Sequence, residues 1–294
     1  MKRVATADDP ATGLFTTDAL VNVSSYPIQK RGSQAYLNTV RQAKEGLESV
    51  SCALLKSFFR PETVALMSGE AVSLAPGAVY IEKEYNPYFD QVPNDLPEDH
   101  PRRRVTRRTN GMVRADHFDR GGAIWALFKN TDLLHFVADC LGKKELHTYR
   151  DPFGCMNVNV QIPGSEFAWH FDNNDFTVSL ILQRPEAGGE FEYVPDLRTN
   201  EDPGFDAVKK VLDGDRSQVR PLDLQPGDLQ LFKGRYALHR VTAPRGQTSR
   251  MSLLLGYVED RESMASPTYS QNLWGEVHPL QVETFERRRI RMAG

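Results

Sequence analysis

The sequence predicts an α+β protein in which N-terminal helices pack on a C-terminal jelly-roll core. Apolar residues recur at helical spacing over residues 31–142, and short β-branched or aromatic runs, separated by Gly, Pro, Asn and Asp, fill residues 145–261. Many short strands of this kind are typical of β-sandwiches and barrels. We therefore expect one domain over residues 31–261, between an irregular N-terminal arm (1–30) and a C-terminal tail (262–294).

Two helical blocks are expected in the N-terminal half. The first carries apolar residues on one helical face, at positions 37, 40, 47, 50, 54 and 58. Pro61 suits the first turn of a following helix, which Gly69 would end. The second block covers residues 122–142, where Thr131 offers an internal N-cap, so this block can form two helices.

The C-terminal half is built from short runs with strand character. These runs are MNVNVQI, EFAWHF, FTVSLILQ, GGEFEYV, GDLQLFKG, HRVTA and RMSLLLGYV. Residues 78–86 also alternate enough to form a strand, ahead of a proline-rich loop. Residues 262–294 lack such a pattern, and we expect them to form an irregular tail that could cover a site as a lid.

Composition narrows the class of protein without indicating its chemistry. Of the 294 residues 40% are hydrophobic and 26% are charged, which is ordinary for a globular protein with a sizeable core. A net charge of −3 argues against nucleic acid or an anionic membrane as the main partner. The three cysteines are widely spaced, which predicts reduced thiols rather than disulfides. The sequence has no apolar signal region and no run near the roughly 18 apolar residues of a membrane span. Together these features predict a cytoplasmic protein.

A candidate metal site opens the strand-rich half. His170 and Asp172 are two residues apart in a strand-like run, so both side chains should point to the same face. His239 lies in a later run of the same character. Two neutral imidazoles and one carboxylate suit Fe(II), and three coordination positions would stay open for a 2-oxo acid and dioxygen.

The His-x-Asp triplet alone is a weak signal, since a surface histidine near an unrelated acid is the commoner explanation. The strand context and His239 strengthen it, and so does Arg250 on the run RMSLLLGYV. An arginine there could clamp the distal carboxylate of 2-oxoglutarate with its bidentate fork. Arg245 competes for that role, but the turn PRGQ that contains it is expected to face water.

Four further residues are candidates with competing interpretations. Asn157 and Asn159 lie two apart on the preceding strand and could bind the substrate and 2-oxoglutarate respectively, or face solvent on a polar edge strand. Asp175 could meet a substrate amino group, although turn chemistry explains it as well. Trp274 could fold over the site, although a single Trp in a tail is more often a packing residue.

These residues resemble a known family, the Fe(II)- and 2-oxoglutarate-dependent oxygenases with a double-stranded β-helix core. More narrowly, the runs WHFDNNDFTVSLILQ, GGEFEYVPDLR and GDLQLFKGRYALHRVT are similar to the carrier-independent amino-acid halogenases and hydroxylases, typified by the free-lysine halogenases. The segments LPEDHPRRR and DPFGCMNVNV also resemble that branch. The likeness covers about residues 80–260.

One position departs from the halogenase pattern. Halogenases carry Gly where this chain has Asp172, and that Gly leaves a coordination site for chloride. The resemblance therefore implies hydroxylation, in which 2-oxoglutarate and O2 yield succinate, CO2 and a ferryl species that attacks an unactivated C–H bond. The implied substrate is a free amino acid or a related small metabolite.

Other outcomes stay open at this stage. The same cofactors support desaturation, cyclisation, C–C cleavage or halogenation, depending on substrate placement. A cupin-like binding protein with a zinc or vacant site is the alternative from another class. The substrate, the regiochemistry and the oligomeric state, including a homodimer, do not follow from the sequence.

Overall fold

The computed structural model describes residues 15–293. Its helices are α1 (Thr17–Leu20), α2 (Gln34–Val50), α3 (Pro61–Leu74), α4 (Ala123–Phe128), α5 (Thr131–Leu141), α6 (Phe205–Leu212), α7 (Pro267–Trp274) and α8 (Pro279–Ala293). Short 3-10 turns cover Ala75–Gly77, Pro101–Arg103 and Ala115–His117. Within the described residues, none of the helices combines the length and the hydropathy that crossing a bilayer requires.

Most strands belong to two antiparallel sheets. The strands are β1 (Cys52–Leu55), β2 (Val79–Tyr80), β3 (Lys83–Tyr85), β4 (Thr106–Arg108), β5 (Gly111–Val113), β6 (His147–Thr148), β7 (Met156–Gln161), β8 (Phe167–His170), β9 (Thr177–Gln183), β10 (Phe191–Val194), β11 (Arg220–Leu222), β12 (Leu229–Phe232), β13 (Leu238–Val241), β14 (Arg250–Leu255) and β15 (Tyr257–Val258). The larger sheet has the order β1-β12-β9-β14-β7-β5-β2 and the smaller β11-β10-β13-β8, while β3-β4 and β6-β15 form separate pairs.

The two faces of the larger sheet have different roles because side chains alternate along each strand. Val158 and Val160 of β7 join the main apolar core, together with Leu47 of α2 and Met67 of α3. The polar side chains between them line cavities on the opposite face. Helices therefore cover the outside of the larger sheet, and its inner face is free to hold a polar site.

The predicted helix boundaries need three corrections. The helical pattern after residue 33 does not continue to residue 58, because Ser51 takes a left-handed conformation (φ 58°) and the chain turns into β1, which pairs with β12. Gly69 does not end α3, which runs on to Leu74 with its buried face packed on the core. Asn130, rather than Thr131, caps α5 by accepting the Leu133 N–H at 2.8 Å.

The predicted irregular tail is wrong, since residues 262–294 contain α7 and α8. Ser266 caps α7 by accepting the Tyr269 N–H at 3.1 Å, and Pro267 occupies the first turn, where its missing N–H costs nothing. The predicted irregular arm also contains the short helix α1, while its first 14 residues, Pro10 among them, lie outside the described residues.

One buried carboxylate joins the tail to the core. Asp151 is fully buried, and its Oδ1 accepts the backbone N–H groups of Phe153 at 3.0 Å and Gly154 at 2.8 Å. Its Oδ2 accepts hydrogen bonds from the side-chain Nε2 of Gln281 at 2.7 Å and from the backbone N–H of Ala265 at 3.3 Å. A single side chain therefore holds a core turn, the segment before α7, and α8 together.

We expect Asp151→Ala to lower the free energy of unfolding by about 2–4 kcal/mol, because it leaves several buried donors without an acceptor. Urea unfolding would measure the loss. The control is Asp223→Ala, which removes an exposed ion pair with Arg184 and should cost less than about 1 kcal/mol. Equal losses in the two variants would contradict the anchoring role of Asp151.

Candidate active site

Antiparallel pairing brings the predicted metal ligands together. His170 at the end of β8 is directly opposite His239 of β13, and Asp172 follows two residues after His170. The Asp172 Oδ1 lies 3.9 Å from the His170 Nε2 and 3.5 Å from the His239 Nε2. One ligand atom from each residue fits within a 4.8 Å group, which is the arrangement a single cation requires.

Both imidazoles are oriented by backbone carbonyls. The Nδ1 of His170 lies 2.7 Å from the Ala168 carbonyl oxygen, and the Nδ1 of His239 lies 3.0 Å from that of Ala237. An Nδ1–H that donates to a carbonyl leaves Nε2 unprotonated, which is the form that binds a metal. Burial, reinforced by the neighbouring His239, holds the pKa of His170 well below its usual range, so this ring stays neutral.

The Asp172 carboxylate is also held in place. Thr177 donates its hydroxyl to Oδ2 at 2.7 Å, and the Asp172 backbone N–H donates to the Gly234 carbonyl oxygen at 2.9 Å. Burial alone would raise the pKa of Asp172, but the attraction of His239 and His170 and the hydrogen bonds hold it below its usual range. The site therefore offers an anionic carboxylate beside two imidazoles whose Nε2 atoms face it.

A cavity of about 80 Å³ extends from the three ligands to Arg250. Arg250 is 5% exposed and is held by the Gly189 carbonyl oxygen at 2.9 Å, and by Gln161 Oε1 and Ser252 Oγ, both at 3.3 Å. Burial and the like charge of Arg184 lower the pKa of Arg250 to about 10, so it remains a cation at neutral pH.

This small cavity is built to receive an anion. Within residues 15–293 no carboxylate lies within ion-pair distance of Arg250, although a buried charge needs a partner. The Nε2 of Gln161, beside Arg250, is a buried donor without a partner. A ligand that places one carboxylate at Arg250 and reaches the metal ligands with its other end would satisfy both groups.

The predicted asparagines lie on the same face of β7 but have different surroundings. Asn159 lines the small cavity, and its Oδ1 accepts the Asn110 side-chain N–H at 2.8 Å. Asn157 lines a neighbouring larger cavity, and its Oδ1 is a buried acceptor without a partner. Neither side chain faces solvent as a polar edge strand would require.

The larger cavity, about 780 Å³, meets the smaller one at Asp172, Thr177 and Leu254. Trp274 lines it and is 7% exposed, so this residue is part of the wall. Asp175 also lines it, but forms an ion pair with Arg235 at 2.6 Å. The structure thus places both residues on the wall of the cavity that reaches Asp172, with the carboxylate of Asp175 already paired.

Arg108 is not among the site residues predicted from the sequence, because the arginine run that contains it is most simply interpreted as a solvated loop. It belongs to a dense run of arginines, in which Arg102, Arg104 and Arg107 pair with Asp90, Asp213 and Glu82 respectively. The Arg108 guanidinium instead enters the larger cavity, over the Phe167 ring at 4.3 Å, and forms hydrogen bonds with Asn110 and Met112. Among the described residues no carboxylate lies within ion-pair distance of Arg108. Side chains alternate along β4, so Arg107 and Arg108 point to opposite faces, and this alternation is the sequence signal that could have separated them.

The loop after β3 covers one side of His170. Asn86 fixes this loop by donating to the carbonyl oxygens of Asp90 at 3.1 Å and Arg102 at 2.9 Å. The Phe171 N–H donates to the Pro87 carbonyl oxygen at 2.8 Å, which joins the loop to the ligand-bearing segment. The Phe89 ring then lies 5.3 Å from the His170 ring and shields it from water.

Known proteins share the fold of this chain. A family model described as Halogenase D matches residues 38–274, and no curated protein matches. A prolyl hydroxylase from Trichoplax adhaerens, solved with a peptide fragment of hypoxia inducible factor, is 16% identical, with a TM-score of 0.51 over 77% of this chain and 91% of its own.

Two further solved structures come from nogalamycin biosynthesis and are each 12% identical. The alpha ketoglutarate dependent carbocyclase SnoK has a TM-score of 0.53 over 76% of this chain and 85% of its own. The epimerase SnoN, in complex with Fe3+, alpha ketoglutarate and nogalamycin RO, has a TM-score of 0.50 over 76% and 84%. At these identities the likeness concerns the fold alone, and it confirms the predicted jelly-roll core.

We expect Asp172→Ala to weaken Co(II) or anaerobic Fe(II) binding by at least about 100-fold, because the variant removes the one anionic ligand. Isothermal titration calorimetry would measure the affinity. Asp175→Ala is the matched control, since it removes a nearby acid that already pairs with Arg235, and its metal affinity should stay within a few-fold of wild type. Similar losses in both variants would show that net negative charge, and not ligation by Asp172, holds the ion.

Proposed function

This chain belongs to the Halogenase D family, and we propose that its own reaction is the hydroxylation of an unactivated C–H bond in a free amino acid or a related small metabolite. The family match confirms the predicted resemblance to the halogenase branch of the Fe(II)- and 2-oxoglutarate-dependent oxygenases. The observation that carries the proposal is the Asp172 carboxylate beside His170 and His239, at the position where the resemblance implies a glycine in the halogenases.

The proposed metal ligands are His170, Asp172 and His239. Their donor set suits Fe(II), and the oriented imidazoles and hydrogen-bonded carboxylate hold that set without further movement. Bound there, Fe(II) with 2-oxoglutarate and O2 supplies the oxidising chemistry, while the protein binds, orients and shields the reactants. Asp172 fills the position that a halide would need, so halogenation is disfavoured.

Arg250 is the proposed partner of the distal carboxylate of 2-oxoglutarate. Support comes from the buried guanidinium without a carboxylate partner at the far end of the small cavity, and from the unpartnered Nε2 of Gln161 beside it. Asn159 lines the same cavity and could hydrogen-bond the co-substrate through its side-chain N–H. Arg245 is not proposed to bind 2-oxoglutarate, because its side chain is exposed, as expected for the turn PRGQ, and its backbone pairs with that of Ala187.

The substrate is proposed to occupy the larger cavity, with its reacting carbon beside Asp172. Arg108 would bind an anionic group such as the α-carboxylate, and the unpartnered Oδ1 of Asn157 would accept from an amino group. Trp274 would form part of the cavity wall and pack against the substrate. Its side chain is buried, which favours this role over that of a mobile lid. Asp175 is a weaker candidate for the amino group because it already pairs with Arg235.

The decisive experiment is a screen of free amino acids with Fe(II), 2-oxoglutarate and O2, in which succinate and product mass are measured with and without chloride. Hydroxylation adds one oxygen atom, whereas desaturation or cyclisation removes two hydrogens and halogenation adds a halogen. We expect a product that gains oxygen and is the same with chloride. Failure of Fe(II) and 2-oxoglutarate to give their weak visible band under anaerobic conditions would support the alternative of a non-catalytic, cupin-like protein.

Substitution of Arg250 or Arg108 should show which of the two anionic ligands each arginine binds. We expect Arg250→Met to raise the KM for 2-oxoglutarate on the order of 100-fold, because it loses a buried charged hydrogen bond. Arg108→Met should raise the KM for the substrate by about 10-fold or more, because the half-buried guanidinium loses its charged hydrogen bond to the substrate. Each variant should leave the KM of the other ligand within a few-fold of wild type. Steady-state kinetics with both ligands varied would measure these constants.

The matched controls are Arg245→Met and Arg107→Met, which remove exposed guanidiniums close in sequence to the two arginines. Arg107 pairs with Glu82 at the surface, so its loss should leave both KM values unchanged. An Arg108→Met enzyme with an unchanged substrate KM would contradict the proposed carboxylate site. Equal effects of Arg250→Met on both ligands would contradict the assignment of 2-oxoglutarate to the small cavity.

A further inference from the structure

Gly234 lies in the turn between β12 and β13, against the Asp172 side chain. Its φ is not positive, in contrast to Gly227 in the turn before β12, so the backbone conformation here does not require glycine. What glycine provides at this position is space. A Cβ built on Gly234 would lie 1.9 Å from Oδ2 of Asp172, 2.6 Å from its Cγ and 2.9 Å from its Cβ.

Rotation of the Asp172 side chain cannot remove this conflict. A new χ1 rotamer moves the carboxylate oxygens and Cγ, but the Cβ of Asp172 stays where the backbone places it. The Cβ–Cβ distance of 2.9 Å alone is shorter than carbon atoms tolerate. A rotated carboxylate would also lose the Thr177 hydroxyl and its place beside the two histidines.

The backbone cannot move apart either, because several hydrogen bonds tie the two segments. The Asp172 N–H donates to the Gly234 carbonyl oxygen at 2.9 Å, and Arg235 donates to the Asn173 carbonyl oxygen. Arg198 bridges the same segments by donating to the carbonyl oxygens of Asp172, at 3.1 Å, and Arg235. The close approach of position 234 to position 172 is therefore built into the fold.

We infer that Gly234 is a positioning residue, without which the carboxylate at position 172 cannot occupy its ligand position. The inference rests on the proposed metal role of Asp172. It means that a carboxylate ligand is specified by two positions, an acid at 172 and the absence of a Cβ at 234. The three atoms nearest to the added Cβ all belong to the Asp172 side chain, so the restriction should disappear when residue 172 has no side chain.

The test is a set of variants that combines Gly or Ala at position 234 with Asp, Ala or Gly at position 172. Gly234→Ala alone should weaken Co(II) binding by about 10–100-fold, the range typical for residues that orient a ligand. In the Asp172→Gly background the same change should alter Co(II) affinity by less than twofold. Calorimetric titration would measure the affinities.

Thermal unfolding of the metal-free proteins gives a second readout. The loss of Tm caused by Gly234→Ala should be largest with Asp172, smaller with Asp172→Ala, where only the Cβ contact remains, and absent with Asp172→Gly. If Gly234→Ala alone fails to fold, the two other backgrounds still test this order. Gly69→Ala is the control, because a Cβ there meets nothing within 4 Å.

Two results would overturn the inference. One is a Gly234→Ala protein that binds Co(II) as wild type does, and the other is an equal loss of Tm in all three backgrounds. A wild-type protein that binds no metal would instead contradict the proposed function. In that case the graded loss of Tm would still report on the pairing of positions 172 and 234, so the two failures are distinguishable.

Discussion

The site depends on the register of one strand pair. Because β8 and β13 pair with His170 directly opposite His239, two imidazoles that are distant in sequence face the same point, and the residues after β8 bring Asp172 to it. A shift of one residue would turn His239 to the other face of the sheet. Backbone carbonyls then fix both rings, so the placement of the two imidazoles follows from the sheet itself, whereas Asp172 is held by the turn at Gly234.

Charge pairing divides the arginines around the two cavities into two groups. Around the larger cavity, Arg235 and Arg288 have carboxylate partners, which explains their presence without any ligand. Arg250 is buried among polar side chains and Arg108 is half-buried against an aromatic ring, and both lack such partners within the described residues. Burying a cation in this way is costly unless an anion joins it. We propose that each guanidinium binds an anionic group, Arg250 in the small cavity and Arg108 in the larger one.

The sequence predicted what short-range patterns encode. Alternating apolar runs indicated the jelly-roll strands, and the spacing of His170 and Asp172 indicated a shared face. The strand β1 was missed because the helical pattern runs through Ser51, whose left-handed conformation breaks the helix. The helix α8 was missed because its many charged residues interrupt the apolar periodicity by which a helix is recognised. The contact between Gly234 and Asp172 joins residues far apart in the chain, so no local pattern could have revealed it.

The wall formed by α7 divides the enzyme into parts that can change independently. The two histidines and Arg250 lie on strands, and Asp172 follows β8 directly, whereas Leu273 and Trp274 approach the larger cavity from the C-terminal segment. Substitutions in that segment can reshape the space for a substrate without altering any strand that carries a ligand. Related chains could therefore diverge in substrate preference through their last thirty or so residues, while the oxidising chemistry stays constant.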